Sequence, residues 1–492
     1  MNIVNKWLAN TQLVLAKQQV INNDPFRPSY HIAPKLGLLN DPNGLIQFNG
    51  QYHVFYQWNP FACDHSQKCW GHYISDDLVH WCEVAPAITP DASYDANGCY
   101  SGSAFVHHDE LYLFYTGNLK YGVDQQQRAS RQCLAKSKNG IDFEKIGIVI
   151  DGEPEGYTAH FRDPKIWREG DQWLAVIGAQ TEKLHGQVLL YRSENLTEWH
   201  CLGPITGSGI YPFNDFGYMW ECPDLFRLGE QWVMLASPQG IEPQGMKYHN
   251  IYQSGYLLGQ LSLEPAQFDT QHFEELDRGF EFYAPQTFLD NQGRRIMLAW
   301  MGLPEENVQP TVEYGWLHQM TLPRELSIRD GKLYQTPVAE LVALRQSHIH
   351  YQSVDFSGRL MLEGVKGRCY ELRAEFGDLT SPLSLKLRSN GADQYTLLHF
   401  DPENLVVTLD RDHAGAGLGG TRQCKLAPSN SLELVIFADN SSLEIFINQG
   451  EAVFSTRIFP EMTSTAICFE SATPCHINTV DYFELKTDGI IR

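Results

Sequence analysis

The chain has 492 residues, of which 43% are hydrophobic and 12% aromatic, so it holds enough apolar material for buried cores and for more than one domain. Its formal net charge of −22 disfavours nucleic acids and anionic membranes as partners. The absence of a signal-like apolar run near the N-terminus, and eleven cysteines scattered without a paired pattern, favour a cytoplasmic protein.

Residues 1–24 are predicted to form a helical extension. Trp7, Leu8, Leu13, Leu15 and Val20 have the spacing of a short amphipathic helix that packs on the body of the protein. No segment has the length and apolarity of a membrane span.

Residues 25–336 are predicted to form a five-bladed β-propeller. Apolar, aromatic-rich strands recur about every sixty residues, a period that suits four strands per blade. These strands begin at Tyr52, Leu111, Trp173, Trp232 and Ile296.

A short segment that is polar in four of the five cases lies about ten residues before each of these strands. Equivalent positions of a propeller converge on its axis, so three carboxylates are expected to meet there. Desolvated like charges repel one another, and a structural role rarely requires them. A catalytic site is the better explanation. The residues at the repeated position in the five segments are Asp41, Ser101, Asp163, Glu221 and Ala284.

The remainder of the chain has a different pattern. Residues 337–350 are predicted to form a helical linker, with Leu341 and Leu344 at helical spacing. From residue 351 to 492, short alternating strands separated by turns predict a β-sandwich, so the whole chain is expected to be all-β.

The three carboxylates suit hydrolysis of a glycosidic bond, which needs one carboxyl group as acid and a second one at the anomeric carbon. Asp41, among asparagine donors, fits the ionised nucleophile. Glu221, between Trp220 and Cys222, is expected in an apolar setting that favours the neutral acid. Asp163 is expected to be held ionised by Arg162 and to bind hydroxyl groups or stabilise charge.

The motifs LLNDPNG, FYQWNP, SGSA, FRDPK, ECPD and FYAPQ, in this order, resemble the signature blocks of glycoside hydrolase family 32, the β-fructofuranosidases. The resemblance covers essentially the whole chain. FYQWNPFACDHSQKCWGH and GYMWECPDLF are most similar to the bacterial members that hydrolyse sucrose 6-phosphate. The family implies a five-bladed propeller with a C-terminal sandwich, a retaining mechanism and no metal or cofactor.

Transferred position by position, the resemblance implies that Asp41 is the nucleophile, Glu221 the acid and base, and Asp163 the stabiliser of the transition state, oriented by Arg162. Two departures from the family pattern, Leu39 and Tyr100, preserve an apolar wall. The implied substrate shell contains Leu38, Leu39, Asn40, Gln57, Trp70, Tyr100, Ser101, Arg162, Tyr283 and Trp300.

A phosphorylated sugar needs a cation near the glucosyl side, and Lys68 is the expected contact. A solvated loop lysine is the competing interpretation. Arg128, Arg131 and Lys247 are weaker alternatives on loops that reach the same rim.

Several alternatives stay open. Cys63, His65, Cys69 and His72 suggest a zinc site, but their spacing does not follow that of structural zinc sites and the reaction needs no metal. The enzyme could be an invertase or exo-fructanase for unphosphorylated sucrose or fructo-oligosaccharides, or the propeller could bind sugar without catalysis. The sandwich could bind sugar, stabilise the propeller or mediate a homodimer.

Overall fold

The structure, a computed structural model, describes residues 3–123, 127–377, 379–429, 431–488 and 491. Two helices come first, α1 (Ile3–Ala16) and α2 (Gln18–Asn22). Trp7 packs edge-on against Trp58, with ring centroids 6.3 Å apart, so α1 lies against the body of the protein. Helices in the described residues are all too short or too polar to traverse a bilayer.

Five antiparallel sheets then form the blades of the predicted propeller. In each blade a path of four strands leads from the axis outward, and the second strand of each blade is buried over most of its length, as its apolar sequence predicts. The strands of the first three blades are β1 (Gly37–Phe48), β2 (Gln51–Asn59), β3 (Cys69–Ser75) and β4 (Trp81–Ile88); β5 (Cys99–His107), β6 (Glu110–Tyr121), β7 (Gln127–Ser137) and β8 (Glu144–Ile150); and β9 (Tyr157–Glu169), β10 (Gln172–Thr181), β11 (Gly186–Ser193) and β12 (His200–Gly207).

The last two blades complete the ring. A short strand that follows the 3₁₀ helix Pro310–Tyr314 pairs in parallel with β1, so the end of the propeller is hydrogen-bonded to its beginning. The strands are β13 (Met219–Leu228), β14 (Gln231–Gln239), β15 (Gly255–Leu263), β16 (Ala266–Thr270) and β17 (Glu274–Glu275) in blade 4; β18 (Tyr283–Leu289) and β19 (Arg295–Met301) in blade 5; the closing strand β20 (Trp316–Leu317); and β21 (Gln319–Met320), β22 (Arg324–Arg329) and β23 (Lys332–Pro337), again in blade 5.

The predicted helical linker is only partly helical. A 3₁₀ helix covers Ala339–Leu344 and buries Leu341 and Leu344, but a strand begins at Arg345. Residues 345–350 pair with the last strand of the chain, so they already belong to the sheet that follows. The division into domains over 25–336 and 351–492 stays a prediction.

The C-terminal part is a β-sandwich around one apolar core. Its strands form a continuous hydrogen-bonded sheet that folds over on itself, because the long last strand pairs with the strand Leu383–Ser389 through its first half and with the strand Tyr370–Phe376 through its second half. These strands are β24 (Arg345–Leu360), β25 (Tyr370–Phe376), β26 (Leu383–Ser389), β27 (Thr396–Asp401), β28 (Val406–Asp410), β29 (Thr421–Lys425), β30 (Leu432–Asp439), β31 (Ser442–Ile447), β32 (Ala452–Arg457) and β33 (Ala466–Leu485), with a 3₁₀ turn at Asn448–Gly450.

Buried ion pairs join the propeller to the sandwich. The guanidinium of Arg324, fully buried, contacts Glu444 at 2.5 Å and Asp277 at 3.1 Å. His31 contacts Asp439 at 2.8 Å and Glu444 at 3.0 Å. Charges buried in this way require partners, so the two parts are held in one relative position.

Candidate active site

The innermost strands of the five blades meet around the propeller axis, where β1 contacts β5 and β18, and β9 and β13 lie side by side. Each of these strands has a β-bulge at the same level. A bulge redirects side chains and is common next to active sites. The bulges lie between the paired residues Leu39 and Pro42, Tyr100 and Gly102, Arg162 and Lys165, Glu221 and Asp224, and Tyr283 and Gln286.

The bulged residues adopt a backbone conformation that side-chain-bearing residues rarely take. Asp163, Cys222 and Ala284 have φ angles of 65°, 49° and 49°, and each precedes a proline. Asp41 likewise precedes Pro42 at the bulge of blade 1. The proline-containing turns recognised in the sequence are therefore these bulges, and they aim the residue before proline towards the axis.

Glu221 does not occupy this repeated position. It pairs just before the bulge, as Arg162 and Tyr283 do in the neighbouring blades. Cys222 is the residue of blade 4 that is equivalent to Asp163. The spacing in the sequence suggested that Glu221 and Asp163 occupy equivalent positions in their blades. This prediction was wrong by one residue, because spacing alone does not show which residue of a turn forms the bulge.

Asp41 lies among hydrogen-bond donors, of which one, Asn40, is an asparagine expected from the sequence. Ser101 Oγ donates to Asp41 Oδ2 at 2.5 Å, and the Asn40 amide donates to Oδ1 at 3.1 Å. The Cys222 thiol lies 3.6 Å from Oδ2. Burial raises the pKa of Asp41, and the negative charge of Glu221 adds to this, whereas the hydrogen bonds from Ser101 and Asn40 counteract it. These donors favour the ionised form that a nucleophile needs.

Glu221 lies in a polar environment, so the apolar setting expected from its neighbours in sequence was wrong. Arg162 donates to Oε1 through Nε at 3.0 Å and Nη2 at 2.6 Å. The Tyr283 hydroxyl and the Gln239 amide donate to Oε2 at 2.7 and 2.8 Å. The flanking residues do not contact the carboxylate because alternate side chains of a strand point to opposite faces.

Asp163 is the most enclosed of the three carboxyl groups, at 5% exposure. Its Oδ2 accepts a hydrogen bond from the Cys222 backbone amide at 3.0 Å. Burial raises the pKa of Asp163 to about 7, although Arg162 opposes the shift. Arg162 favours the ionised form of Asp163 through its charge, as expected, but does not hold it by a hydrogen bond, since the guanidinium donates to Glu221 and to His160 instead.

The predicted substrate shell divides into two groups. Asn40, Ser101, Arg162 and Tyr283 bond directly to the carboxylates Asp41 or Glu221. Tyr100 is partly exposed on the innermost strand β5 beside them.

The other group lies beneath this surface. The side chains of Gln57 and Trp70 bond to the backbone of β5, at Cys99 O and Tyr100 O, and hold that strand in place. The remaining three, Leu38, Leu39 and Trp300, are buried to 1% exposure or less.

Lys68 is closer to the carboxylates than a rim residue would be. It is only 5% exposed, and its Nζ bonds to Asn40 Oδ1 and, at 2.8 Å, to His65 Nδ1. Burial lowers the pKa of Lys68 to about 7, while Asp41 opposes the change. Lys68 therefore positions Asn40 against Asp41.

The residues considered for zinc do not share one environment. His72 is buried against His53, with Nε2 and Nδ1 3.0 Å apart, whereas His65 contacts Lys68. Cys63 Sγ lies 4.0 Å from the Gly37 carbonyl.

Sequence reasoning missed three residues of the site. Gln239 bonds to Glu221, His160 accepts a hydrogen bond from Arg162 at 3.0 Å, and Cys222 lies between Asp41 and Asp163. Cys222 directly follows the predicted residue Glu221, and His160 lies two residues before the predicted residue Arg162. Gln239 ends the buried strand β14, and only the pairing of β13 with β14 brings it to the site.

Two partly exposed carboxylates on different blades, a third enclosed one and a network of donors provide what acid–base cleavage of a glycosidic bond requires. Together with the propeller, this site is that of a glycoside hydrolase.

The chain belongs to glycosyl hydrolase family 32. The model of the family's N-terminal domain matches residues 31–337, and that of its C-terminal domain matches residues 340–484. The sucrose-6-phosphate hydrolase of Bacillus subtilis is 47% identical over 460 residues, which cover 92% of this chain and 93% of the relative. Family membership sets aside the alternative of a non-catalytic sugar-binding propeller.

Solved structures agree with this assignment. A sucrose-6-phosphate hydrolase from Lactobacillus gasseri matches with a TM-score of 0.89 and 33% identity over 97% of this chain and 96% of that chain. A Bombyx mori GH32 β-fructofuranosidase variant in complex with sucrose matches with a TM-score of 0.85 and 33% identity over 99% of both chains.

Proposed function

We propose that the protein is a retaining β-fructofuranosidase that hydrolyses sucrose 6-phosphate to fructose and glucose 6-phosphate, with sucrose as a second substrate. The observation that carries the proposal is the presence of two partly exposed carboxyl groups with different hydrogen-bond partners, Asp41 and Glu221, at one axial site. The relatives from Bacillus subtilis and Lactobacillus gasseri, both sucrose-6-phosphate hydrolases, support the phosphorylated substrate. The Bombyx mori complex supports binding of sucrose itself.

In the first step, Asp41 attacks the anomeric carbon of the fructosyl unit. The bond from this carbon to the glucosyl oxygen breaks, and Glu221 gives its proton to the leaving oxygen. The product is a fructosyl ester of Asp41. Hydrogen bonds from Ser101 and Asn40 keep Asp41 ionised for the attack.

In the second step, Glu221 takes a proton from water, and the water oxygen attacks the anomeric carbon and releases Asp41. Arg162 stabilises the carboxylate form of Glu221 between the two steps, and Tyr283 and Gln239 hold its second oxygen. Asp163, with a pKa of about 7, is suited to bind fructose hydroxyl groups and to stabilise positive charge at the anomeric carbon.

The cytoplasm is the compartment that we propose, because the sequence favours a reducing environment. A role of the sandwich in dimerisation remains a prediction from the sequence.

The decisive experiment compares the purified protein with Asp41→Asn and Glu221→Gln. Hydrolysis of sucrose and of sucrose 6-phosphate is followed by release of glucose or glucose 6-phosphate. Each variant is expected to lose roughly a thousandfold or more of kcat, because it removes a group that acts on the reacting atoms. Circular dichroism and the melting temperature show whether the variants are folded, and ordinary rates in either folded variant would contradict the assigned roles.

A further inference from the structure

Two cations lie opposite one another near the end of the β6–β7 hairpin of blade 2. Lys120 and Arg128 are direct cross-strand partners, so their side chains project from the same face. Lys120 is partly exposed and Arg128 is exposed. Neither has an acidic partner among the residues that the structure describes, whereas Arg162 pairs with Glu221 and Lys165 with Asp224.

Backbone contacts connect Lys120 to the active site. Its amide donates to Asn97 Oδ1 at 2.9 Å, and the next residue, Gly98, is in contact with both Lys68 and Tyr100. A Cβ placed on Gly98 would lie 2.8 Å from the Tyr100 ring and 3.2 Å from Lys68 Cβ. The loop that contains Asn97 and Gly98 therefore lies between Lys120 and the hydrogen-bonded pair Lys68 and Asn40.

Arg128 reaches the same region from the neighbouring strand. On its face of β7, Gln132 and Ser130 donate to the backbone of β9 at Phe161 O and Ala159 O, at 3.2 and 2.7 Å. Arg128 is the next residue on that face, beyond Ser130.

The positive charge of Arg128 influences the pKa values of two site residues, Tyr100 and His160. Burial raises the pKa of Tyr100, and Arg128 and Arg162 counteract the increase. Burial lowers the pKa of His160 to about 4, and Arg162 and Arg128 reinforce the decrease. Arg128 is therefore close enough to both Tyr100 and His160 for its charge to act on them, and His160 accepts a hydrogen bond from Arg162, which bonds to Glu221.

This position is on the side of Glu221, where the proposed reaction releases the glucosyl product. A phosphate group on that product carries close to two negative charges, and ionic hydrogen bonds from lysine and arginine are its usual protein contacts. Like charges directly opposite one another on neighbouring strands repel, so an anion bound by both Lys120 and Arg128 would stabilise this pair, for which the described residues supply no acidic partner.

The geometry points to Lys120 and Arg128 as the residues that bind the phosphate of the sugar-phosphate substrate. This inference rests on the proposed function. It replaces Lys68, the contact expected from the sequence, whose ammonium is buried against Asn40 and His65. Lys120 is partly exposed and Arg128 exposed, and no hydrogen bond from either side chain to another residue within the described ranges occupies their donors.

The test measures kcat/KM on sucrose 6-phosphate and on sucrose for the wild type, Lys120→Gln, Arg128→Gln and the double variant. The ratio of the two constants is expected to fall roughly tenfold for each single substitution and further for the double variant. Arg131→Gln is the matched control. Arg131 lies on the same strand but on the opposite face, where it pairs with Asp151 at 2.6 Å, and its replacement should leave the ratio unchanged.

Inhibition by glucose 6-phosphate supplies a second measurement, since its inhibition constant should rise in the same variants and remain unchanged in Arg131→Gln.

A wild type that prefers sucrose 6-phosphate, together with variants that keep this preference, would overturn the inference and leave the proposed function intact. Equal loss on both substrates would also overturn it, because it would indicate a structural role. A wild type that cleaves sucrose equally well would reject both the phosphate site and the phosphorylated substrate, and a wild type that cleaves neither sugar would reject the proposed function itself.

Discussion

Replacing Ser101 with alanine removes the shortest hydrogen bond that Asp41 accepts. The Ser101 hydroxyl lies 2.5 Å from Asp41 Oδ2, whereas the Asn40 amide bonds to the other oxygen at 3.1 Å. Burial already raises the pKa of Asp41, and the Ser101 hydrogen bond is the largest influence that opposes this. Ser101→Ala should therefore stabilise the protonated, non-nucleophilic form of Asp41.

The size of the effect follows from the energy of a hydrogen bond to a charged group, about 1.5–3 kcal/mol. This energy corresponds to a change of roughly 10- to 100-fold in the protonation equilibrium of Asp41. Because the folded enzyme needs ionised Asp41, activity is present above the pKa of this group and is lost as the pH falls through it. The acid limb of the pH profile should therefore move to higher pH by about one unit or more.

The assay is kcat/KM for sucrose hydrolysis between about pH 4 and pH 8. Ser75→Ala is the matched control, since Ser75 also donates to a carboxylate, Asp77 at 3.1 Å, but at the outer end of β3. The control should keep the wild-type acid limb. An acid limb of Ser101→Ala that coincides with that of the wild type, in a folded protein, would refute the idea that this hydrogen bond keeps Asp41 ionised.

Two further predictions concern the contact between propeller and sandwich. Arg324→Met should lower the free energy of unfolding by about 3–5 kcal/mol, measured by urea denaturation, because Asp277 and Glu444 would remain buried without their cation; an exposed arginine, Arg329→Met, should change it little. Burial disfavours the charged form of His31, but hydrogen bonds to Asp439 and Glu444 outweigh this effect and raise the pKa of His31 to about 9. His31 should therefore contribute about 3 kcal/mol to the free energy of unfolding below pH 6.5, and this contribution should be lost as the pH rises through 9. Unfolding of His31→Gln should lack this loss, and an unchanged pH dependence would show that His31 is not its source.

The five-bladed fold could be predicted from the sequence because its cause is local and repeated. Each second strand of a blade is buried on both faces, so it must be apolar along its whole length, and that pattern recurs about every sixty residues. The turns before these strands carry Asp41, Asp163 and Glu221, and the convergence of blades on an axis is a property of any propeller. The structure brings these carboxyl groups together.

The linker shows where local pattern was insufficient. Leu341 and Leu344 have helical spacing and are buried, but the segment forms a single short 3₁₀ helix. The strand from Arg345 is decided by pairing with β33, which lies more than a hundred residues further along the chain. Spacing within a short window does not contain that information.

The sequence by itself determined which blades carry the carboxyl groups, because proline-containing turns and apolar strands are local features. Only the tertiary structure decided what surrounds each group. Arg162 precedes Asp163 in the chain but bonds to Glu221, 59 residues away, and Lys68 lies beneath Asn40 rather than at the rim. The physical reason is that alternate side chains of a strand point in different directions, and each bulge changes that alternation, so neighbours in sequence are separated and residues of different blades become partners.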